Sequence, residues 1–242
     1  FWLKPRHSRD PARSSVSAMP PVDEAKEEEA RLWQAVEFRG AVDRADDAKV
    51  QELMEAGANP IYKMSDGSSW TVLMLAANSG SELLVEKLSR GGKMPKVDDK
   101  DPHGYQAIML AALQGHAQIV AKLIEKGADK DAINEDGETP LMMAAAHGHK
   151  EVVSFLLDSG ADPNLLDKND MSAIKKAARW GHLDCIRELL PKVEDNPRQL
   201  KHCMIFGKFY GHEDIVAEMK RILEPVDDGV EGEEDAGPPP EN

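Results

Sequence analysis

The chain has 242 residues, of which 41% are hydrophobic and 31% charged, and 44 acids against 30 lysines and arginines give a net charge of −14. That balance argues against nucleic acid and against anionic membrane as partners, since both need a basic face. No stretch approaches the roughly 18 to 20 apolar residues of a membrane span.

At the N-terminus, Lys4, Arg6, Arg9 and Arg13 stand against Asp10 alone, and the composition turns acidic from Met19. Two readings of residues 1–18 are open. One is translation from upstream of a true start at Met19. The other is the remnant of a transit peptide, an Arg- and Ser-containing, acid-poor segment. Under either, residues 1–30 are expected to be a disordered or spurious extension with no place in the fold. The second reading makes an organelle the alternative to the expected cytoplasmic or nuclear location. Cys185 and Cys203, in apolar surroundings, fit neither a disulfide framework nor a metal-ligand pair, and suit a reducing compartment.

From residue 31 the chain repeats itself. A degenerate first unit, AVDRADDAKVQELMEAGANP at 41–60, is followed by WTVLMLAANSGSELLVEKLSRGG at 70–92. Three units then align without a gap: 101–133, 134–166 and, through its first two dozen residues, 167–199. Gly115, Gly148 and Gly181 fall 33 residues apart, as do Gly127 and Gly160. The extra residues before Gly115 are placed in loops near Ser68 and Pro95. CMIFGKFYGHEDIVAEMKRILE at 203–224 reads as a last unit. A fixed period of this length is the signature of a stack of supersecondary modules.

Within the clearest unit, Leu141, Ala144 and Ala145 make the apolar stripe of one helix. Thr139–Pro140 opens that helix, where a proline's missing N–H costs nothing, and Gly148 closes it. Val152, Val153, Leu156 and Leu157 form the buried side of a second helix that Gly160 ends. Asp136, Gly137, Asp162 and Asn164 predict a projecting turn between modules. Such a module cannot bury its apolar face alone, so stability must come from stacking, with more polar modules at the ends. Pro225–Asn242 carries seven acids, no base and three consecutive prolines, and composition predicts a disordered acidic tail.

The pattern DG-x-TPL-x-x-AA-x-x-GH-x-x-(I/V)V-x-x-LL-x-x-GAD-x-N resembles the ankyrin repeat over residues 31–224. The resemblance implies an all-α solenoid of about six helix-turn-helix modules with hairpin-like loops, in units of about 31–66, 67–100, 101–133, 134–166, 167–199 and 200–224. The family's usual histidine after T-P-L is replaced by Met74, Met109, Met142 and Lys175, which predicts a lost polar tie and gained packing, except at Lys175. Asp170 stands where a glycine is usual, and PKVEDNP replaces the closing G-A-D, so regular stacking is in question beyond Pro191.

No catalytic motif occurs, neither a phosphate loop nor a nucleophile elbow nor a zinc signature, and SRGGK at 89–93 lacks the spacing of the first. His116, His149, His182 and His212 recur just after the helix-linking glycines. Stacked equivalents would lie about 10 Å apart, too far to share a metal, so their expected role is structural. No enzyme activity, cofactor or metal is expected.

The resemblance implies a non-catalytic interaction module, whether adaptor, scaffold or inhibitor, monomeric on its own and binding a partner protein through its concave groove and hairpin tips. The alternatives are a structural subunit of a larger, organellar assembly and the ankyrin fragment of a larger enzyme. By register, the slots facing a partner are Trp70, His103, Tyr105, Gln114, Glu135, Asp136, Glu138, His147, Met171, Arg179, Trp180, Phe209 and Tyr210. Aromatics make up only 5% of the chain yet gather in these slots, and Trp, Tyr and Arg dominate binding hot spots. Arg179–Trp180 with Phe209–Tyr210 is the expected anchor. The competing expectation is that Trp180 and Phe209 seal an irregular C-terminal junction.

Overall fold

The computed structural model describes residues 37–42, 44, 46–56, 70–90, 96–193 and 197–223. The expectations for residues 1–30 and 225–242, and for the extra loop residues near Ser68 and Pro95, fall outside them. Among the described residues the regular elements are all α-helices: α1 (Asp47–Glu55), α2 (Val72–Ser79), α3 (Glu82–Arg90), α4 (Ala107–Gln114), α5 (Ala117–Glu125), α6 (Pro140–His147), α7 (Lys150–Asp158), α8 (Ala173–Trp180), α9 (Leu183–Val193), α10 (Pro197–Tyr210) and α11 (Glu213–Leu223). A further helical segment at 37–42 precedes α1.

The helices form two rows. In the inner row α2, α4, α6, α8 and α10 pack each on the next; in the outer row α1, α3, α5, α7 and α9 do the same. Each inner helix also packs on the outer helix that follows it, from α2 on α3 to α10 on α11. This is the solenoid that the 33-residue period predicts.

The rows differ because their helices meet different surroundings. Pro140 to Ala145 are all buried in α6, as are Ala107 to Ala112 in α4, since inner helices touch neighbours on both flanks and an outer helix behind. Ala111, Ala112, Ala144, Ala145, Ala177 and Ala178 are wholly inaccessible, and their methyl side chains let successive inner helices approach closely. Outer helices keep one polar face: α7 buries Val152, Val153, Leu156 and Leu157 and exposes Lys150, Glu151 and Asp158.

Helices α2 and α6 begin at a capping threonine, and α2, α4, α6 and α8 all end at a left-handed glycine. The Thr139 hydroxyl accepts the Met142 N–H at 3.2 Å and Pro140 takes the first helical position. At the other end Gly148 has φ +76°, where an L side chain would be strained, and its N–H donates to the Ala144 carbonyl.

At the methionine positions the structure modifies one expectation. Met74, Met109 and Met142 are buried, but the Thr71 N–H donates to the Met74 sulfur at 3.5 Å, so a weak polar tie survives there. Lys175 lies along the core and its ammonium donates to the Asp170 carbonyl at 2.7 Å. The inner row also continues past the irregular segment. Helix α9 runs through Pro191 to Val193, and α10 packs on both α8 and α11.

Candidate protein-binding surface

Three successive hairpins are built alike. Asp101, Asn134 and Asp167 stand 33 residues apart, and one side-chain oxygen of each accepts two backbone N–H groups: from His103 and Tyr105, from Asp136 and Glu138, and from Asn169 and Met171. Each turn is closed by a left-handed residue, Gly104, Gly137 and then Asp170 at φ +58°. Neighbouring hairpins are joined by backbone bonds, Glu135 N–H to the His103 carbonyl and Lys168 N–H to the Asp136 carbonyl, both 2.9 Å. The tips therefore form one continuous edge rather than separate loops.

A partly buried ion-pair triad fixes the last of these hairpins. The Lys176 ammonium, on α8, lies 2.7 Å from both the Glu138 and the Asp167 carboxylates. Burial works against both charges. The hydrogen bonds outweigh it, holding the Asp167 carboxyl below and the Lys176 ammonium above their usual values.

Histidines join the inner row. Nε2 of His149 bonds the Leu113 carbonyl at 2.9 Å, His182 that of Ala146 at 3.1 Å, and His212 that of Arg179 at 3.1 Å, with His116 on Asn78 at 3.3 Å. Each acceptor is in the last turn of the preceding inner helix, where carbonyls lack helical partners. The ring covers the glycine that ends that helix: a Cβ on Gly115 would come within 2.5 Å of the His149 ring. The recurring G-H pair is thus a lock between modules. Among the described residues no group of His, Cys, Asp or Glu is placed to hold a metal ion. The two cysteines are buried free thiols, and burial pushes Cys185 up to about 11 and Cys203 to about 12. They are held protonated and inert at neutral pH.

The residues picked out by register fall into two surface regions and a remainder. The first is a concave pocket of about 510 Å³ between α2 and α4, floored by Leu110 and Leu113 and walled by Trp70, Pro102 and Tyr105. Asn78, His103 and Gln114 lie at its polar edges, Gln114 donating to the Asn78 carboxamide at 3.1 Å. The Trp70 indole donates to Asp101 at 3.0 Å, which fixes that wall to the hairpin. Burial, then the Glu138 charge, raises the Tyr105 phenol above its usual value.

The second region joins the ends of α8 and α10. The Arg179 guanidinium lies 5.7 Å from the Trp180 ring and 5.6 Å from the Tyr210 ring. Phe209 meets Tyr210 edge-on at 5.0 Å, and Phe206 stacks behind Tyr210 at 6.2 Å. Trp180 is 60% exposed and Phe209 80% exposed. Side chains that exposed do not seal a junction, so the competing expectation for them is corrected; His212 and the buried Ile215 and Met219 close that end.

Two of the remaining residues are not available to a partner as expected. Met171 is buried at the foot of its hairpin, where its N–H donates to Asp167. Glu138 is committed to Lys176 and to the Asn134 amide. Glu135 and Asp136 are exposed on the hairpin edge, with Glu135 3.9 Å from His103. His147 is exposed on the concave rim between the two regions, bonded to the Met143 carbonyl and stacked on His149. The sequence reading missed Asp101, Asn134, Asp167 and Lys176. The first three carried a signal, an Asx residue at the 33-residue period, whereas Lys176 carried none.

A family model described as ankyrin repeats (3 copies) matches residues 38–134 and 127–199, more than half of the chain. No curated protein matches it.

Proposed function

The chain belongs to the ankyrin-repeat family, and from that premise we propose that it is a non-catalytic adaptor, scaffold or inhibitor that grips a partner protein with its concave face. Ankyrin repeats are protein–protein interaction modules, so the open matter is which surface does the binding. The observation that carries the reading is the exposed cluster of Arg179, Trp180, Phe209 and Tyr210. Large aromatic side chains left in solvent beside an unburied guanidinium are the composition of a binding hot spot. The Trp70–Tyr105 pocket, already shaped and mainly apolar, is a second anchor on the same concave side.

The test is affinity capture from native extract with the full chain against a Trp180→Ala/Tyr210→Ala variant. Capture of specific partners is expected to fall while the melting temperature holds, because both side chains stand outside the core. Undiminished capture would remove this surface from the reading.

A further inference from the structure

The C-terminal aromatic cluster is also a cationic one. Lys201, Ile205, Lys208 and Phe209 are spaced so as to share one face of α10, and all four are exposed, Ile205 at 56%. Arg179 lies beside the Phe209 end of that stripe, over the Tyr210 ring. No carboxylate is within ion-pair distance of Arg179, Lys201 or Lys208 among the described residues, in a chain whose net charge is −14. What sets these three apart is the exposed aromatic and aliphatic surface they share. Lys122 meets Glu82, Lys150 meets Glu188, and Arg187 meets Asp184 and Glu218. Among the described residues the exposed Lys126, Lys168, Lys192 and Lys220 also lack an ion pair, but they stand on no such surface. An apolar strip with three unanswered positive charges fits an acidic segment that also carries apolar residues.

Resting on the reading above, that this patch is an interaction surface, we infer that its resident occupant is the chain's own acidic segment, Pro225–Asn242, which competes there with outside partners. The charges are complementary: seven acids and no base in the segment against Arg179, Lys201 and Lys208. Val226, Val230 and Pro238–Pro240 supply apolar matter, and consecutive prolines favour an extended form that aromatic surfaces bind.

The connection reaches. The 11 residues of α11 return from the Tyr210 end of α10, so the segment starts about 16 Å back along the helix axis. From Leu223 to Glu231 an extended chain spans up to about 27 Å, which brings the acids at 231–235 to the patch. Tethering also raises the local concentration of the segment to the millimolar range, so a contact too weak to persist between separate molecules is populated within one. Salt weakens it, since the pairing is at the surface.

Acrylamide quenching of tryptophan fluorescence tests this on the full chain. The comparison is with a full chain carrying Glu231→Gln, Glu233→Gln, Glu234→Gln and Asp235→Asn, each with and without Trp180→Phe to isolate the Trp180 signal. The native segment is expected to shield Trp180, and the neutralised variant and high salt to lose that shielding. Equal quenching in the two chains overturns the inference, as does shielding that grows with protein concentration, which would place a second copy on the patch. Neither result touches the reading of the surface itself: that fails separately, if Trp180→Ala/Tyr210→Ala leaves partner capture unchanged.

Discussion

His182 shows how one side chain couples the stack to pH. Its Nε2 ties α8's module to the Ala146 carbonyl, and burial, reinforced by the nearby His147, His149 and His212, holds its pKa below the usual histidine value of 6.5. The folded state therefore binds this proton less readily than the unfolded chain does, and stability is lost as pH falls below 6.5. His182→Gln keeps a donor near the carbonyl but cannot titrate. Its denaturant midpoint is expected to fall less between pH 7.5 and pH 5.5 than that of the native chain, as read by circular dichroism. The same slope in both proteins would show that another group governs the acid limb. Truncating the equivalent His149 to Ala should cost about 1 to 2 kcal/mol in chemical unfolding, because it strands the Leu113 carbonyl at a helix end.

Among the hairpins, the one at 167–171 is the most tightly determined and the most strained. Lys176→Met removes the cation and leaves Asp167 and Glu138 facing each other in a partly buried site. Solvent reaching Glu138 screens part of that repulsion, so chemical denaturation should show a loss of about 1 to 2 kcal/mol, below that of a fully buried pair. Asp170 works in the other direction. It holds φ +58°, a conformation natural to the glycines at its two equivalents, so Asp170→Gly should stabilise by about 0.5 kcal/mol while Lys175 keeps its bond to the backbone carbonyl. The sequence shows the second half of this contrast and hides the first. Asp170 departs from a glycine at a fixed period, which is visible in one dimension. Lys176 pairs with Glu138, 38 residues earlier, through a contact that exists only once two modules are stacked. The same divide runs through the surface. Trp180 and Tyr210 could be placed by register, whereas Met171 proved buried although its equivalents Tyr105 and Glu138, with their hairpin N–H groups held in the same way, stay partly exposed. A repeat fixes which positions are equivalent and gives them the same turn, but the chemistry of the side chain at each position decides how far it is buried: the polar Glu138 turns to Lys176, and the apolar Met171 is covered.

Across the whole molecule stability is a sum of neighbouring interfaces, so it should be greatest at the centre and fall towards the ends. The helices in the middle are flanked on both sides: α6 buries six of its eight residues, while α11 buries only Ile215 and Met219. Native-state hydrogen exchange should accordingly find the amides of α4 to α8 most protected and those of α1 and α11 opening at much lower free energy. Uniform protection along the chain would mean that the stack unfolds as one unit. This gradient bears on the aromatic surface, which bridges α8, on the stable side, and α10, on the labile one. Whatever binds across Arg179 and Phe209 fastens the last helix pair to the rest of the stack. A bound partner should therefore slow exchange in α10 and α11 while leaving α4 and α5 unchanged, since ligand binding stabilises only those openings that destroy its site. Protection confined instead to α2 and α4 would move the binding site to the Trp70–Tyr105 pocket.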